Sequence, residues 1–238
     1  MPARKSNPRQ LAKFAGPLVL LGAGKMGGAM LDGWLSRGLS PRKIVVLEPQ
    51  PARAVKALAR RGLKLNPKAK PKPAPAGTIV VAVKPQSAPE AVPALGPYVG
   101  KNTLVVSIMA GRTMAFLQRA LPAGTAIVRA MPNTPASIGR GITVAVANRN
   151  VTTRQRKAAT DLLAAIGAVE WVSDEALMDA VTAVSGSGPA YVFLLAEAMT
   201  ARPVSPEPVN MIRSNGRFEN SMPTLPVSSR KTSLSSEK

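Results

Sequence analysis

Gly22-Ala-Gly24-Lys-Met-Gly27 and Ser185-Gly-Ser-Gly-Pro189-Ala-Tyr191 are the segments whose residue types and spacing could do chemistry. The first follows a short apolar run and opens a helix-like pattern. There Gly22 permits a tight turn, Gly24 lets the backbone approach a pyrophosphate, and Gly27 lets the helix pack close to the strand. The helix N-terminus then offers free N–H groups to an anion. This points to dinucleotide binding, set against the plainer reading of a strand-to-helix turn. Glu48 stands at the end of the next apolar run, where an acidic side chain takes adenine-ribose hydroxyls. Arg53, a few residues on, would instead suit the 2′-phosphate of NADPH. A solvated strand end is the third reading of Glu48, and the sequence does not choose among them.

Three further segments could face the same ligand. Ala82-Val83-Lys84-Pro85 ends a β-branched run with a proline that stops the ladder. Ser107-Ile108-Met109-Ala110-Gly111 ends another, and Gly111 fits either a close backbone approach or a simple turn. Met131-Pro-Asn133-Thr-Pro135 fixes an amide between two prolines. Asn133 could bond a nicotinamide carboxamide, or its own backbone in an Asx-type turn. Ser185–Pro189 leads into a helix with Pro189 near its start and Ser187 placed to cap it. An anion-facing loop and an ordinary capped helix both fit.

Asp179-Ala-Val-Thr182-Ala-Val-Ser185-Gly-Ser-Gly-Pro189-Ala-Tyr191 resembles the long signature of pyrroline-5-carboxylate reductases, the last enzymes of proline biosynthesis. Arg129-Ala-Met-Pro-Asn133-Thr-Pro135-Ala resembles their nicotinamide loop. With the glycine turn and Val83-Lys84-Pro85, the resemblance runs from about Leu18 to Thr200. It implies a Rossmann domain followed by a helical dimerisation domain, with homo-oligomers whose active sites lie at the dimer interface. The cofactor is NADPH or NADH and the substrate 1-pyrroline-5-carboxylate, which is reduced to L-proline. The resemblance places cofactor contacts at Leu21, Gly22, Ala23, Gly24, Lys25, Met26, Glu48, Ala82, Val83, Lys84, Pro85, Ile108, Met109 and Ala110. Asn133 joins them at the nicotinamide, and Glu175 matches a family position near the cofactor. The imine reacts as its protonated iminium, so no strong side-chain acid is needed and no catalytic residue is named.

Two departures limit the resemblance. At Glu48 and Ala69 the chain lacks the small polar or amide groups that surround the adenine ribose in other members, which leaves NADH against NADPH open. After Thr200 the family continues with helices that carry a Ser-Pro-Gly-Gly-type segment for the substrate carboxylate. Ala201–Lys238 has no such segment, as if the frame were truncated or shifted. The alternative expectation is therefore a catalytically deficient NAD(P)-binding fragment, with at most trace turnover and no stable family-type oligomer.

Composition narrows the chemistry. The chain has 238 residues, 45% of them hydrophobic, with no cysteine and no histidine. Thiolate nucleophiles, imidazole bases and zinc sites built on these residues are excluded, and no metal site is expected. Hydride transfer passes this filter, because the cofactor carries the chemistry. The formal charge of +20 gathers in the N-terminal arm, Arg60–Lys72 and Arg149–Lys157. It suits a nucleic-acid partner or a solvated surface that draws anionic small molecules. Aromatics for base stacking are scarce, so nucleic-acid binding is disfavoured, and any that occurs should be weak and non-specific. No apolar run spans a bilayer, and a cytoplasmic location is expected.

The elements that must position these residues alternate strand and helix from Leu18 onward. Strands are expected at 18–21, 43–47, 79–83, 103–107, 126–129, 141–147 and 169–172, and helices at 28–37, 52–61, 114–120 and 152–166. This is an α/β, Rossmann-type doubly wound parallel sheet. It spans 17–173, after a disordered basic extension at 1–16. Helices at 174–184 and 189–200 begin an incomplete dimerisation domain over 174–201. Residues 202–238, with five prolines and eight serines, read as a disordered tail.

Overall fold

Alternation of side chains along the central strands sends Leu18 and Leu20 to one face and Val19 and Leu21 to the other. All four are buried, as a strand covered on both sides requires. The computed structural model describes residues 10–67 and 75–201. The chain falls into two compact units, 1–199 and 200–238. Of the second, only Thr200 and Ala201 are described. Ala69 and the 202–238 tail lie outside the described residues.

Eight strands form one sheet: β1 Leu18–Leu21, β2 Ile44–Leu47, β3 Lys64–Leu65, β4 Thr78–Val81, β5 Leu104–Ser107, β6 Ala126–Met131, β7 Gly141–Ala147 and β8 Gly167–Trp171. Their order is β3-β2-β1-β4-β5-β6-β7-β8. The order reverses beside β1, where doubly wound sheets bind ligands. Helices α1 Lys25–Ser36 and α5 Thr153–Leu163 bury Trp34 and Leu162 on one face. The other face is covered by α3 Ala88–Ala91, a 3₁₀ segment at Pro93–Tyr98 and α4 Met114–Ala120. Two more helices follow, α2 Arg53–Ala59 lying earlier in the chain: α6 Leu177–Val181 and α7 Gly188–Ala201. No helix among the described residues is long and apolar enough to cross a membrane.

The expected fold class stands with one change. The pairing of β6 with β7 is antiparallel, and the other pairs are parallel. The link between them is a 3₁₀ turn, Thr134–Ile138. A parallel return needs a crossover of about a dozen residues or more, and this link is too short. The helix expected at 174–184 is also broken. It keeps α6 and then widens into a π-helical turn at Thr182–Gly186.

The disordered extension expected at 1–16 is corrected at its inner end. Leu11 is fully buried in the α1–α5 face of the core, and its N–H donates to Arg37 O at the end of α1. Lys43 Nζ donates to Phe14 O at 2.8 Å, and Gln10 Nε2 to Asp161 at 2.9 Å. One leucine and one phenylalanine make no period, so the sequence pattern could not show this docking. Leu11→Ala should cost about 2–4 kcal/mol, read as a shift of the urea midpoint at unchanged slope. A midpoint at the parent value would mean that the segment is not held.

Candidate active site

The glycine turn forms because β1 must hand over to α1 between two neighbouring strands. Gly22 has φ +90°, and its N–H donates to Leu47 O at 2.9 Å. A Cβ there would lie 2.8 Å from Ala82 C and O, so only glycine fits against the end of β4. A Cβ on Gly27 would drive into Gly22 O. Gly24 differs: a Cβ there would meet nothing within 4 Å. It faces open space at the N-terminus of α1, where no side chain caps the helix. The first-turn amides of α1 are thus left to whatever enters.

What they face is a cleft of about 1540 Å³ at the carboxyl ends of β1, β2 and β4. Of the residues expected at a cofactor, Leu21, Gly22, Ala23, Gly24, Lys25, Glu48, Ala82, Val83 and Lys84 line it. Asp32, Gln50, Asn66, Ser87 and Ser137 line it too and carried no sequence signal. Asn66 follows the two-residue strand β3, and Ser137 lies in the link to β7. Both come to the cleft only through tertiary packing. Arg53 is exposed at the start of α2 and does not line the cleft, although Ala52 and Ala54 do. A dinucleotide fits the arrangement. The turn at Gly24 is open, the helix start is uncapped, and a carboxylate stands at the end of β2.

Glu48 is already engaged. Its Oε2 accepts the Ala23 N–H at 2.8 Å and its Oε1 the Gln50 N–H at 3.0 Å. Its backbone is held by Asn66, which donates from Nδ2 to Glu48 O and accepts the Glu48 N–H at Oδ1, both at 2.8 Å.

The remaining expected contacts lie outside the cleft lining: Met26, Pro85, Ile108, Met109, Ala110, Asn133 and Glu175. Ile108 and Met109 are buried after β5. Asn133 makes no Asx turn. Its Oδ1 accepts the Ile142 N–H at 2.9 Å, and its Nδ2 reaches Ser185 Oγ at 3.4 Å. It thereby ties the exit of β6 to β7 and to the π-helical turn. Gly186 of that turn packs against Met131, whose side chain a Cβ would strike. Glu175 Oε1 pairs with Arg129 Nη1 at 2.9 Å and accepts the Met114 N–H at 2.8 Å. Arg129 is the buried member of this set, and its Nη2 also reaches Asp179 at 3.5 Å.

Comparison with known proteins decides the family. A family model described as NADP oxidoreductase, coenzyme F420-dependent, matches residues 17–111. One described as pyrroline-5-carboxylate reductase dimerisation matches residues 175–205. The pyrroline-5-carboxylate reductase of Pseudomonas aeruginosa is 38% identical over 183 residues, covering 77% of this chain and 67% of the relative. The chain belongs to the pyrroline-5-carboxylate reductase family. The Mycobacterium leprae relative is 40% identical over 190 residues, covering 76% of this chain and 63% of the relative. The chain therefore spans about two thirds of the length of the curated relatives it matches. A solved family member from Coxiella burnetii superposes with a TM-score of 0.69 at 32% identity, over 77% of this chain and 68% of that one. The Plasmodium falciparum pyrroline carboxylate reductase with NADP bound gives 0.64 at 27% identity, over 77% and 67%.

Proposed function

We propose that this chain is a reductase of the family's kind, an NAD(P)H-dependent oxidoreductase acting on a C=N bond in proline biosynthesis. Its substrate would be 1-pyrroline-5-carboxylate and its product L-proline. The observation that carries the reading is the open, uncapped turn at Gly24 in a chain of this family. Gly22–Met26 would hold the pyrophosphate, Glu48 the adenine ribose, and Ala82–Pro85 the next part of the cofactor. Ile108–Ala110 and Asn133, just past the ends of β5 and β6, would border the nicotinamide. When bound, the reduced nicotinamide supplies the hydride. With neither histidine nor cysteine in the chain, the protein's part is positioning the two reactants and excluding water. The iminium substrate arrives already protonated and needs no side-chain acid.

Residues 174–201 would serve assembly with a second copy. In α7 the side chains of Tyr191–Leu195 and Met199 are 61–72% exposed, an apolar surface of the kind partners cover. The same exposure favours a second reading, dinucleotide binding without turnover, should α7 stay uncovered. A cytoplasmic location belongs to both readings.

The test is consumption of NADH and NADPH by the purified chain with 1-pyrroline-5-carboxylate, with proline measured directly. Proline formation at a trace rate, far below an ordinary turnover of order 10 per second, is the expected result, because Ala201–Lys238 carries no segment for the substrate carboxylate. Thermal protection by the cofactors without proline formation would select the second reading. Neither protection nor turnover would refute both.

A further inference from the structure

We propose that Glu48 is a built-in anion standing where a 2′-phosphate would bind, so that the cleft selects the dinucleotide lacking that phosphate, and that Asn66 is the positioning residue that holds it there. The inference rests on the reading of the cleft as a dinucleotide site.

The reason lies in donors and acceptors. At the end of β2 the carboxylate spans two loops. Oε2 takes the Ala23 N–H of the glycine turn, and Oε1 takes the Gln50 N–H of the turn leading to α2. A phosphate on the ribose 2′-oxygen would need N–H donors at this corner, and these two are already taken by Glu48. It would also bring its own negative charge against the carboxylate, and like charges at close quarters repel. A ribose diol meets the opposite situation. A carboxylate has about four acceptor sites. Two are used here, and the others can receive the hydroxyl protons. Arg53, which could have reversed this preference, does not line the cleft. Lys25 and Lys84 line it as well, beside Asp32 and Glu90, so the hold on the pyrophosphate common to both cofactors falls to the amides at the start of α1.

Asn66 explains why Glu48 stays in place although it lies beyond the end of β2. Among the described residues Asn66 is the only non-glycine with positive φ, at 42°. Its own N–H donates to Val46 O at 2.8 Å. The left-handed turn lays its side-chain amide along Glu48, where it replaces the next rung of the β2–β3 ladder with two bonds of 2.8 Å. Asparagine adopts this conformation at little cost and brings both a donor and an acceptor.

The experiment measures dissociation constants of NADH and NADPH for the full chain and three variants: Glu48→Ser, Asn66→Ala and Asn66→Gly. Glycine adopts the left-handed turn freely, so Asn66→Gly keeps the backbone while removing the clamp. The parent should bind NADH at least about tenfold more tightly than NADPH, which is about 1.4 kcal/mol. Glu48→Ser frees both amides and should bring the ratio to about one or below. Both Asn66 variants should move the ratio the same way. A merely structural role for Asn66 would weaken both cofactors alike and leave the ratio unmoved, which would remove it from the proposal. A parent that prefers NADPH, or a ratio indifferent to Glu48→Ser, overturns the selectivity while leaving the dinucleotide site standing. A parent that binds neither cofactor overturns the underlying reading of the cleft.

Discussion

Gly24→Val should fold like the parent and lose about a hundredfold or more in affinity for both NADH and NADPH. The three glycines of the turn separate cleanly on geometry. Gly24 has φ −69°, open to any residue, and a Cβ there meets no protein atom within 4 Å. A valine side chain would therefore project into the cleft without disturbing the sheet. It would stand where the pyrophosphate must approach the amides of α1. Charge-assisted hydrogen bonds are worth about 1.5–3 kcal/mol each, and each 1.4 kcal/mol is about tenfold in affinity. Losing two of them gives a drop of that size. Gly27→Ala is the contrast. Its Cβ must enter Gly22 O, so helix and strand have to separate, at roughly 3 kcal/mol. Calorimetric titration with both cofactors, paired with a melting curve, reads the two losses apart. A folded Gly24→Val chain with parental affinity would show that this turn does not hold the pyrophosphate.

Much of this site was legible in the sequence because its parts are local. Turn, strand end and helix start follow one another within Leu18–Ser36, and each glycine has one geometric task. The strands were legible for the same reason, being short runs of aliphatic, mostly β-branched residues such as Ile44–Leu47 and Thr78–Val81. What escaped depends on distant partners. Asn66 matters through Glu48, 18 positions away, and nothing in Lys64-Leu-Asn-Pro67 indicates a clamp. Helix α3 and the 3₁₀ segment after it were hidden by the prolines at 89, 93 and 97, which here sit in short turns rather than in a long helix. The reversal of β7 was hidden because strand pattern carries no direction. Asn133 and Glu175 show the same limit. The family resemblance assigns both to the cofactor, and nothing in the sequence indicates that their side chains also join the sheet to the segment that carries Ser185.

Glu175→Ala should destabilise the fold by about 3 kcal/mol or more, while Arg129→Met should cost about 1 kcal/mol. The asymmetry comes from burial. The Arg129 side chain is 4% exposed and that of Glu175 is 26% exposed. Removing the glutamate strands a guanidinium in the interior. Its second contact, Asp179, is 88% exposed and 3.5 Å away, and water screens such a pair heavily. Breaking a buried pair from one side costs about 3–5 kcal/mol. Removing the arginine strands little, because Glu175 can turn to water and still accept the Met114 N–H at the start of α4. Methionine fills much of the same volume without a charge. The double variant Arg129→Met, Glu175→Ala should then be more stable than Glu175→Ala alone, since the stranded charge is gone. Urea midpoints measure all three, and cofactor titration of the folded variants separates this role from a cofactor contact. If Glu175→Ala keeps the parental midpoint but loses cofactor affinity, Glu175 belongs to the cofactor and Arg129 merely leans on it.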